Sequence, residues 1–231
     1  MTNSENTTTK DNALRQVRIV IDRLVRDGKA VARSDSSVHE LFPVATSLAE
    51  GQALRDWVTK EKATHTIEVG LGYGVSALFI CEGLLINGDK NARHVVLDPH
   101  QATRYKDCGL QFLEEAGVAH LVEYHAEESQ IALPSFLSQD RHFDFVFIDG
   151  SHLFDAVFLD LIYSGRIVRP GAVIFVDDYQ LPAIARAVSF CLKNLEWTLE
   201  DESHADKDHN WAVLRTAREP IKRSFPHFVD F

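Results

Sequence analysis

Sulfur is scarce in this chain: of 231 residues, three are cysteine and one is methionine. Cys81, Cys108 and Cys191 stand far apart in apolar, helix-like contexts, without the paired spacing of a zinc site or a redox motif. They read as buried free thiols of a reducing compartment, which excludes a disulfide frame. Positive charge is also short, with 24 Lys and Arg against 34 Asp and Glu and a net charge of −10. No basic block offsets that balance, which argues against a nucleic-acid surface. No apolar run is long enough to span a bilayer, and Met1-Thr2-Asn3-Ser4-Glu5 lacks the basic-then-apolar order of a secretion signal. The expectation is a cytoplasmic protein with neither nucleic acid nor membrane as partner.

What is present is ample material for a core, since 45% of the residues are hydrophobic. The length suits one domain with extensions, which we divide into a tail and helical extension over 1–45, a main domain over 46–218 and an aromatic tail over 219–231. The first ten residues are polar and read as a disordered tail. From Asn12 to Arg26 the apolar residues Leu14, Val17, Val20, Ile21 and Leu24 recur at helical spacing. Residues 29–43 are less regular, and Ser47 to Val58 reads as a second helix.

From there strand and helix alternate five times. Strands are expected at Thr66–Val69, His94–Asp98, Leu121–Tyr124, Phe143–Asp149 and Ala172–Asp177. Helices are expected over Ser76–Leu85, Ala102–Ala116, Glu127–Leu137 (interrupted by Pro134), Phe154–Gly165 and Pro182–Asn194. Two last strands lie near Trp197 and Trp211, joined by a charged loop over Glu200–His209. Near-continuously apolar strands between helices predict a doubly wound α/β sheet, mostly parallel, covered on both faces and closed by a C-terminal antiparallel strand.

The run Glu68-Val69-Gly70-Leu71-Gly72-Tyr73-Gly74-Val75-Ser76 joins the first of these strands to its helix. Alternating glycines permit a sharp turn and close approach of a ligand to the backbone, and the helix start presents N–H groups to an anion. The dinucleotide fingerprint wants glycine at its sixth position, where this chain has Val75, and a Tyr-x-x-x-Lys pair is lacking, both against a nicotinamide oxidoreductase.

Ligands of such sheets bind beyond the carboxyl ends of the strands. Here those ends carry the glycine loop, Asp98, Asp149 and the pair Asp177-Asp178. Asp98 is placed to accept hydrogen bonds from ribose hydroxyls, or else simply ends its strand before Pro99. If the fourth and fifth strands are neighbours, about 4.8 Å apart, Asp149, Asp177 and Asp178 can share one divalent cation, Mg²⁺ by its taste for oxygen ligands. The plainer alternative has Asp149 capping a helix that begins at Gly150 or Ser151. His152, three residues after Asp149, is a candidate general base, cation ligand or substrate donor, or an ordinary surface histidine.

From Glu50 to about Leu195 the chain resembles the class I S-adenosylmethionine-dependent methyltransferases of the metal-dependent O-methyltransferase kind, which include the caffeoyl-CoA and catechol group. It is most similar to their bacterial branch, a group that includes macrolide-sugar O-methyltransferases. The matching positions are Glu68, Gly70, Gly74, Ser76, Asp98, Asp149-Gly150-Ser151-His152, Pro170-Gly171 and Asp177-Asp178. The resemblance implies a Rossmann-like methyltransferase fold, with Gly70, Gly72 and Ser76 at the methionine end of S-adenosylmethionine, Glu68 nearby and Gly74 also among the cofactor-binding residues. It further implies Asp98 on the ribose, Ala126 and Glu127 by the adenine, Asp149 also against the cofactor, and Asp149, Asp177 and Asp178 on a divalent metal. Two departures stand out: plant-type members usually carry asparagine where this chain has Asp178, and lysine near His152.

The implied reaction is methyl transfer to a hydroxyl of a small molecule, with Asp149 and His152 as the catalytic residues. A metal-independent N-methyltransferase and a non-catalytic nucleotide-binding relative are the alternatives. Phe42, Tyr179 and the C-terminal aromatics are candidates to line an aromatic or sugar site. The N-terminal helix and the aromatic tail also offer apolar surface for a homodimer.

Overall fold

The computed structural model describes residues 3–203, 210–219 and 222–231, with side chains from residue 10 onward. Its helices are α1 (Asn3–Asp27), α2 (Leu48–Lys60), α3 (Val75–Asn87), α4 (Cys108–Glu115), α5 (Ser129–Ser138), α6 (Phe154–Ile167) and α7 (Pro182–Asn194). Its strands are β1 (Lys29–Val31), β2 (Val38–Glu40), β3 (His65–Val69), β4 (Arg93–Leu97), β5 (Val122–His125), β6 (Phe143–Ile148), β7 (Val168–Val176), β8 (Thr198–Glu202) and β9 (Ala212–Arg215).

Seven strands form one sheet in the order β5-β4-β3-β6-β7-β9-β8. All pairings from β5 across to β7 are parallel, and β9 runs antiparallel to both its neighbours. The chain winds outward from β3 through β4 to β5, then crosses back to β6 on the other side of β3. The crevice between β3 and β6 is therefore the point where strand order reverses, and it opens at the strands' carboxyl ends.

Alternation along β6 shows how both faces are filled. Val146 and Ile148 join the cluster with Leu161 of α6 and Val188 of α7. Phe145 and Phe147 point the other way, among Leu54 and Trp57 of α2 and Ile80 of α3. A fully buried Phe contributes roughly 1.5–3 kcal/mol, so a charge at either Phe position would undo the α2 face. On α1 the stripe Val17, Val20, Ile21 and Leu24 is buried against Leu78 and Cys81 of α3. All three cysteines are buried free thiols. No helix among the described residues is long and apolar enough to cross a membrane.

Several elements differ from the sequence-based expectation. α1 extends back to Asn3, where a tail was expected. A helix already nucleated adds polar residues at little cost, so weak local propensity does not stop it. Residues 29–43 contain the small antiparallel pair β1–β2. The helix expected from Ala102 begins only at Cys108, because Lys106 and Asp107 adopt positive φ (52° and 58°) and break it. α5 runs through Pro134 without interruption. The tip of the loop expected over Glu200–His209 lies outside the described residues, while β8 extends to Glu202. The aromatic tail is tied to α7: Asn194 exchanges two hydrogen bonds with the Val229 backbone, and Phe231 packs edge-on against Phe190.

α6 also buries an acid. Asp160 is almost wholly inaccessible and its Oδ1 accepts no hydrogen bond. Burial pushes its pKa up from 3.8 to about 6, against a smaller opposing effect of Ser129. Because the folded value is the higher one, the unfolded chain gives up its proton first as pH rises. Stability is therefore lost between about pH 4 and pH 6, by up to about 3 kcal/mol. Asp160→Asn should melt above the parent protein at pH 7.5, with the gap closing toward pH 4. Melting curves of both proteins across that range would show it; a gap that persists unchanged at pH 4 would remove the charge as the cause.

Candidate active site

At the switch point lies a cavity of about 950 Å³, bounded by the glycine loop, the Asp98 turn, the β6–α6 loop and the end of β7. That is the size of a site for a nucleoside-type ligand with room beside it. Three of its walls follow from local chemistry at the strand ends.

The three loop glycines have different jobs. Gly70 (φ 93°) ends β3, and a Cβ there would fall 2.0 Å from the carbonyl oxygen of Asp149. Its bareness lets the ends of β3 and β6 approach. A Cβ on Gly74 would lie 2.9 Å from Cα of Gly109, so this glycine serves the contact with α4 and does not line the cavity. Only at Gly72 (φ 51°) is there open space, with nothing nearer than the Tyr105 ring at 4.0 Å. Gly72 is thus the position where a ligand can approach the backbone.

Glu68 is fully buried and does not reach the cavity wall. Ser76 Oγ donates to its Oε1, while its Oε2 is 2.9 Å from His94 Nε2, and His94 Nδ1 is in turn 2.9 Å from Thr66 Oγ1. Glu68 holds the loop from behind and leaves Ser76 at the cavity. Asp98 does line the cavity. Its Oδ2 accepts from the Gly72 N–H (3.0 Å) and from Gln101 Nε2 (2.7 Å), and its Oδ1 from the His100 N–H (2.7 Å). It locks the glycine loop to the β4 turn. Ala126 and Glu127 are exposed and outside the cavity; the next residues, Glu128 and Ser129, line it instead.

The acids converge. Asp149, Asp177 and Asp178 all face the cavity, from the adjacent ends of β6 and β7. α6 begins at Phe154, so Asp149 caps no helix. Asp178 sits at positive φ (54°), and its N–H donates to Asp177 Oδ1 at 2.6 Å. His152 Nε2 lies 2.9 Å from Asp178 Oδ2 and 4.0 Å from Asp149 Oδ1, and each of these three residues offers a ligand atom within 4.8 Å of the others. Burial and the charge of Asp177 push the Asp149 carboxyl well above the usual range. Hydrogen bonds to Asp149 and Asp178 raise His152 to about 10, which makes it an imidazolium at neutral pH.

Beneath these acids lies one that the spacing of motifs did not single out. Glu50, from the first turn of α2, is fully buried, and among the described residues neither of its oxygens accepts a hydrogen bond. Burial, then the neighbouring Asp177, Asp149 and Asp178, push it well above the ordinary carboxylate range. Also unforeseen are the walls made by Pro43, Val44, Ala45 and Thr46 before α2 and by Arg104 and Tyr105 after β4. Such loop residues carry no periodic signal. Phe42 and Tyr179 do not line the cavity, although their neighbours Pro43, Asp178 and Gln180 do.

The chain is similar to known methyltransferases. A methyltransferase-domain family model matches residues 67–179, from β3 through the acidic pair. Tricin synthase 2 of Oryza sativa subsp. japonica is 31% identical over 146 residues, covering 62% of this chain and 47% of that protein. Caffeoyl-CoA O-methyltransferase 1 of Arabidopsis thaliana is 27% identical over 121 residues, covering 51% and 44%. The chain thus spans about half the length of these curated relatives. In three dimensions, the O-methyltransferase TomG from Streptomyces achromogenes, solved in complex with SAM, superposes with a TM-score of 0.66 at 22% identity. That match covers 86% of this chain and 89% of that one, and at such identity it speaks for the fold.

A β3 glycine loop faces an acidic β6–β7 edge across the switch point, and the methyltransferase-domain match spans both. Over that stretch the chain is similar to tricin synthase 2 and caffeoyl-CoA O-methyltransferase 1.

Proposed function

We propose that the chain moves a methyl group from S-adenosylmethionine to a hydroxyl oxygen of a small molecule, with a divalent cation, Mg²⁺ by its donor set, held at the carboxylates. The observation that carries this reading is the convergence in one cavity of an open glycine backbone at Gly72, a loop-locking Asp98 and a cluster of carboxylates. Both ligands pass a test of fit. The room over Gly72 accommodates a ligand against the backbone. The donors at the other end are hard carboxylate oxygens, which suit Mg²⁺, and a buried carboxylate without a partner lies behind them.

S-adenosylmethionine supplies a methyl already activated on a sulfonium, and the cation supplies the charge that fixes an acceptor oxygen and lowers its pKa. The chain's own task is then alignment. Gly72 and Ser76 would bound the methionine end and Asp98 the ribose side, while Glu128 and Ser129 are better placed than Ala126 and Glu127 to bound the adenine. Gly74 and Glu68 support the loop without facing the ligand, while Gly70 lines the cavity and lets β3 and β6 approach. Asp149, Asp177 and Asp178 would hold the cation. His152 occupies the mouth of that cluster as an imidazolium, and an imidazolium cannot accept a proton. Its role as base therefore requires Asp149 and Asp178 to be neutralised first, as a cation held between them would do. Pro43 to Thr46 and Tyr105 form the wall left for an acceptor.

Calorimetric titration with S-adenosylhomocysteine, with and without Mg²⁺, tests the reading. Micromolar binding to one site is expected, with a separate Mg²⁺ heat. Absence of binding under both conditions would overturn it.

A further inference from the structure

We propose that Glu50 is a fourth carboxylate of the cation site, holding the divalent ion from the buried side, opposite His152. The inference rests on the cation-assisted reading above and deepens it.

The position of Glu50 has an ordinary explanation, which the geometry rejects. Ser47-Leu48-Ala49-Glu50 has the spacing of a capping box, in which the third helical residue reaches back to the N–H of the cap. One half of that box is made: the Glu50 N–H donates to Ser47 Oγ at 3.2 Å. The other half is not, since both Glu50 oxygens are buried and accept nothing. The side chain has turned away from solvent and from its own helix start, and lies against Asp177.

An acid in the first turn of a helix normally gains from the helix dipole while staying hydrated. Here hydration is lost, and among the described residues Asp177, within hydrogen-bonding reach, and Asp149 and Asp178 bring charges of its own sign to bear on Glu50. A buried carboxylate costs several kcal/mol unless it is paired. A cation between Glu50 and the three aspartates would give the buried Glu50 carboxylate a counter-charge. Close packing holds the acid in place: a Cβ on the next residue, Gly51, would fall 2.2 Å from the Phe79 ring of α3. α2 is thereby pressed onto α3, and Glu50 is delivered to the end of β7. The same segment leads directly from Pro43–Thr46, so a cation gripped by Glu50 also anchors the wall on the proposed acceptor side.

The test is titration of the full-length protein with Mn²⁺ alone, followed by electron paramagnetic resonance, for the parent, Glu50→Gln and Asp149→Ala. Glu50→Gln keeps the shape and removes the charge; we expect Mn²⁺ to bind it about 10–100-fold more weakly. The metal-free variant should melt at or above the parent temperature, because a buried acid destabilised by like charges has gone. Its affinity for S-adenosylhomocysteine without metal should be unchanged. Should Glu50→Gln fold poorly, Glu50→Asp keeps the charge but withdraws it by one methylene, and weaker Mn²⁺ binding is expected there too.

Unchanged Mn²⁺ affinity in Glu50→Gln, with affinity lost in Asp149→Ala, would overturn the Glu50 proposal and leave the metal reading standing. No Mn²⁺ binding by the parent protein would overturn both.

Discussion

Alanine at Gly70 is expected to destabilise the protein by about 3–5 kcal/mol, the largest effect of any single methyl in the site. Two costs combine. The residue sits at φ 93°, outside the range an L side chain adopts without strain, and the added Cβ would lie 2.0 Å from the Asp149 carbonyl oxygen and 2.8 Å from its carbon. Those are backbone atoms at the end of β6, tied to β3 by the Asp149 N–H to the Val69 carbonyl (2.9 Å), so neither can step aside alone. β3 and β6 must part, and the carboxylate end of the site goes with them. Gly72→Ala is the control. It meets nothing nearer than 4.0 Å and carries only the strain of its φ of 51°, about 1–2 kcal/mol. Denaturant unfolding of the two variants should show Gly70→Ala the less stable by a wide margin, while Gly72→Ala folds and binds S-adenosylhomocysteine more weakly. Equal stabilities would mean that the β3–β6 contact is not what Gly70 serves.

Asp149→Ala is expected to cut turnover by about 100-fold or more and to abolish its stimulation by Mg²⁺. Asp149 ends a strand hydrogen-bonded to both β3 and β7 and lies against His152, Asp177 and Asp178. Removing it should leave the fold intact, because its side chain is raised in pKa by burial and like charge and so contributes no stability as an anion. His152 would lose one of the two carboxylates that raise it and should titrate lower in the variant. A metal-stimulated rate equal to that of the parent would refute the assignment of the cation to Asp149, whatever the stability of the variant.

Legibility in the sequence differed by element. The strands β3, β4, β6 and β7 were readable because each is a short apolar run buried on both faces, and such runs have few other solutions. Their ends were readable too, since an acid or a glycine series at a strand terminus is a local pattern. The helix expected over Ala102–Ala116 was misjudged in its first half, where residues 101–107 instead form the turn that brings Arg104 and Tyr105 to the cavity. Composition gave no warning, because the break lies in the backbone of Lys106 and Asp107. Gly74 and Glu68 belong to the glycine motif by sequence, yet face α4 and His94, and a motif records adjacency along the chain without recording which side of the turn meets a ligand.

Periodicity and strand-end chemistry, both local along the chain, were enough to determine a parallel α/β sheet, the glycine loop and the acidic edge formed by Asp149, Asp177 and Asp178. Tertiary structure alone decided which of those groups share a cavity, that Gly72 is the open glycine, and that Glu50 joins the acids from α2. Those outcomes depend on contacts between segments distant in sequence: Gly70 against Asp149, Gly51 against Phe79, Asp98 against the Gly72 N–H. Such contacts depend on distances of a few ångströms between elements, and no periodicity within either element encodes them.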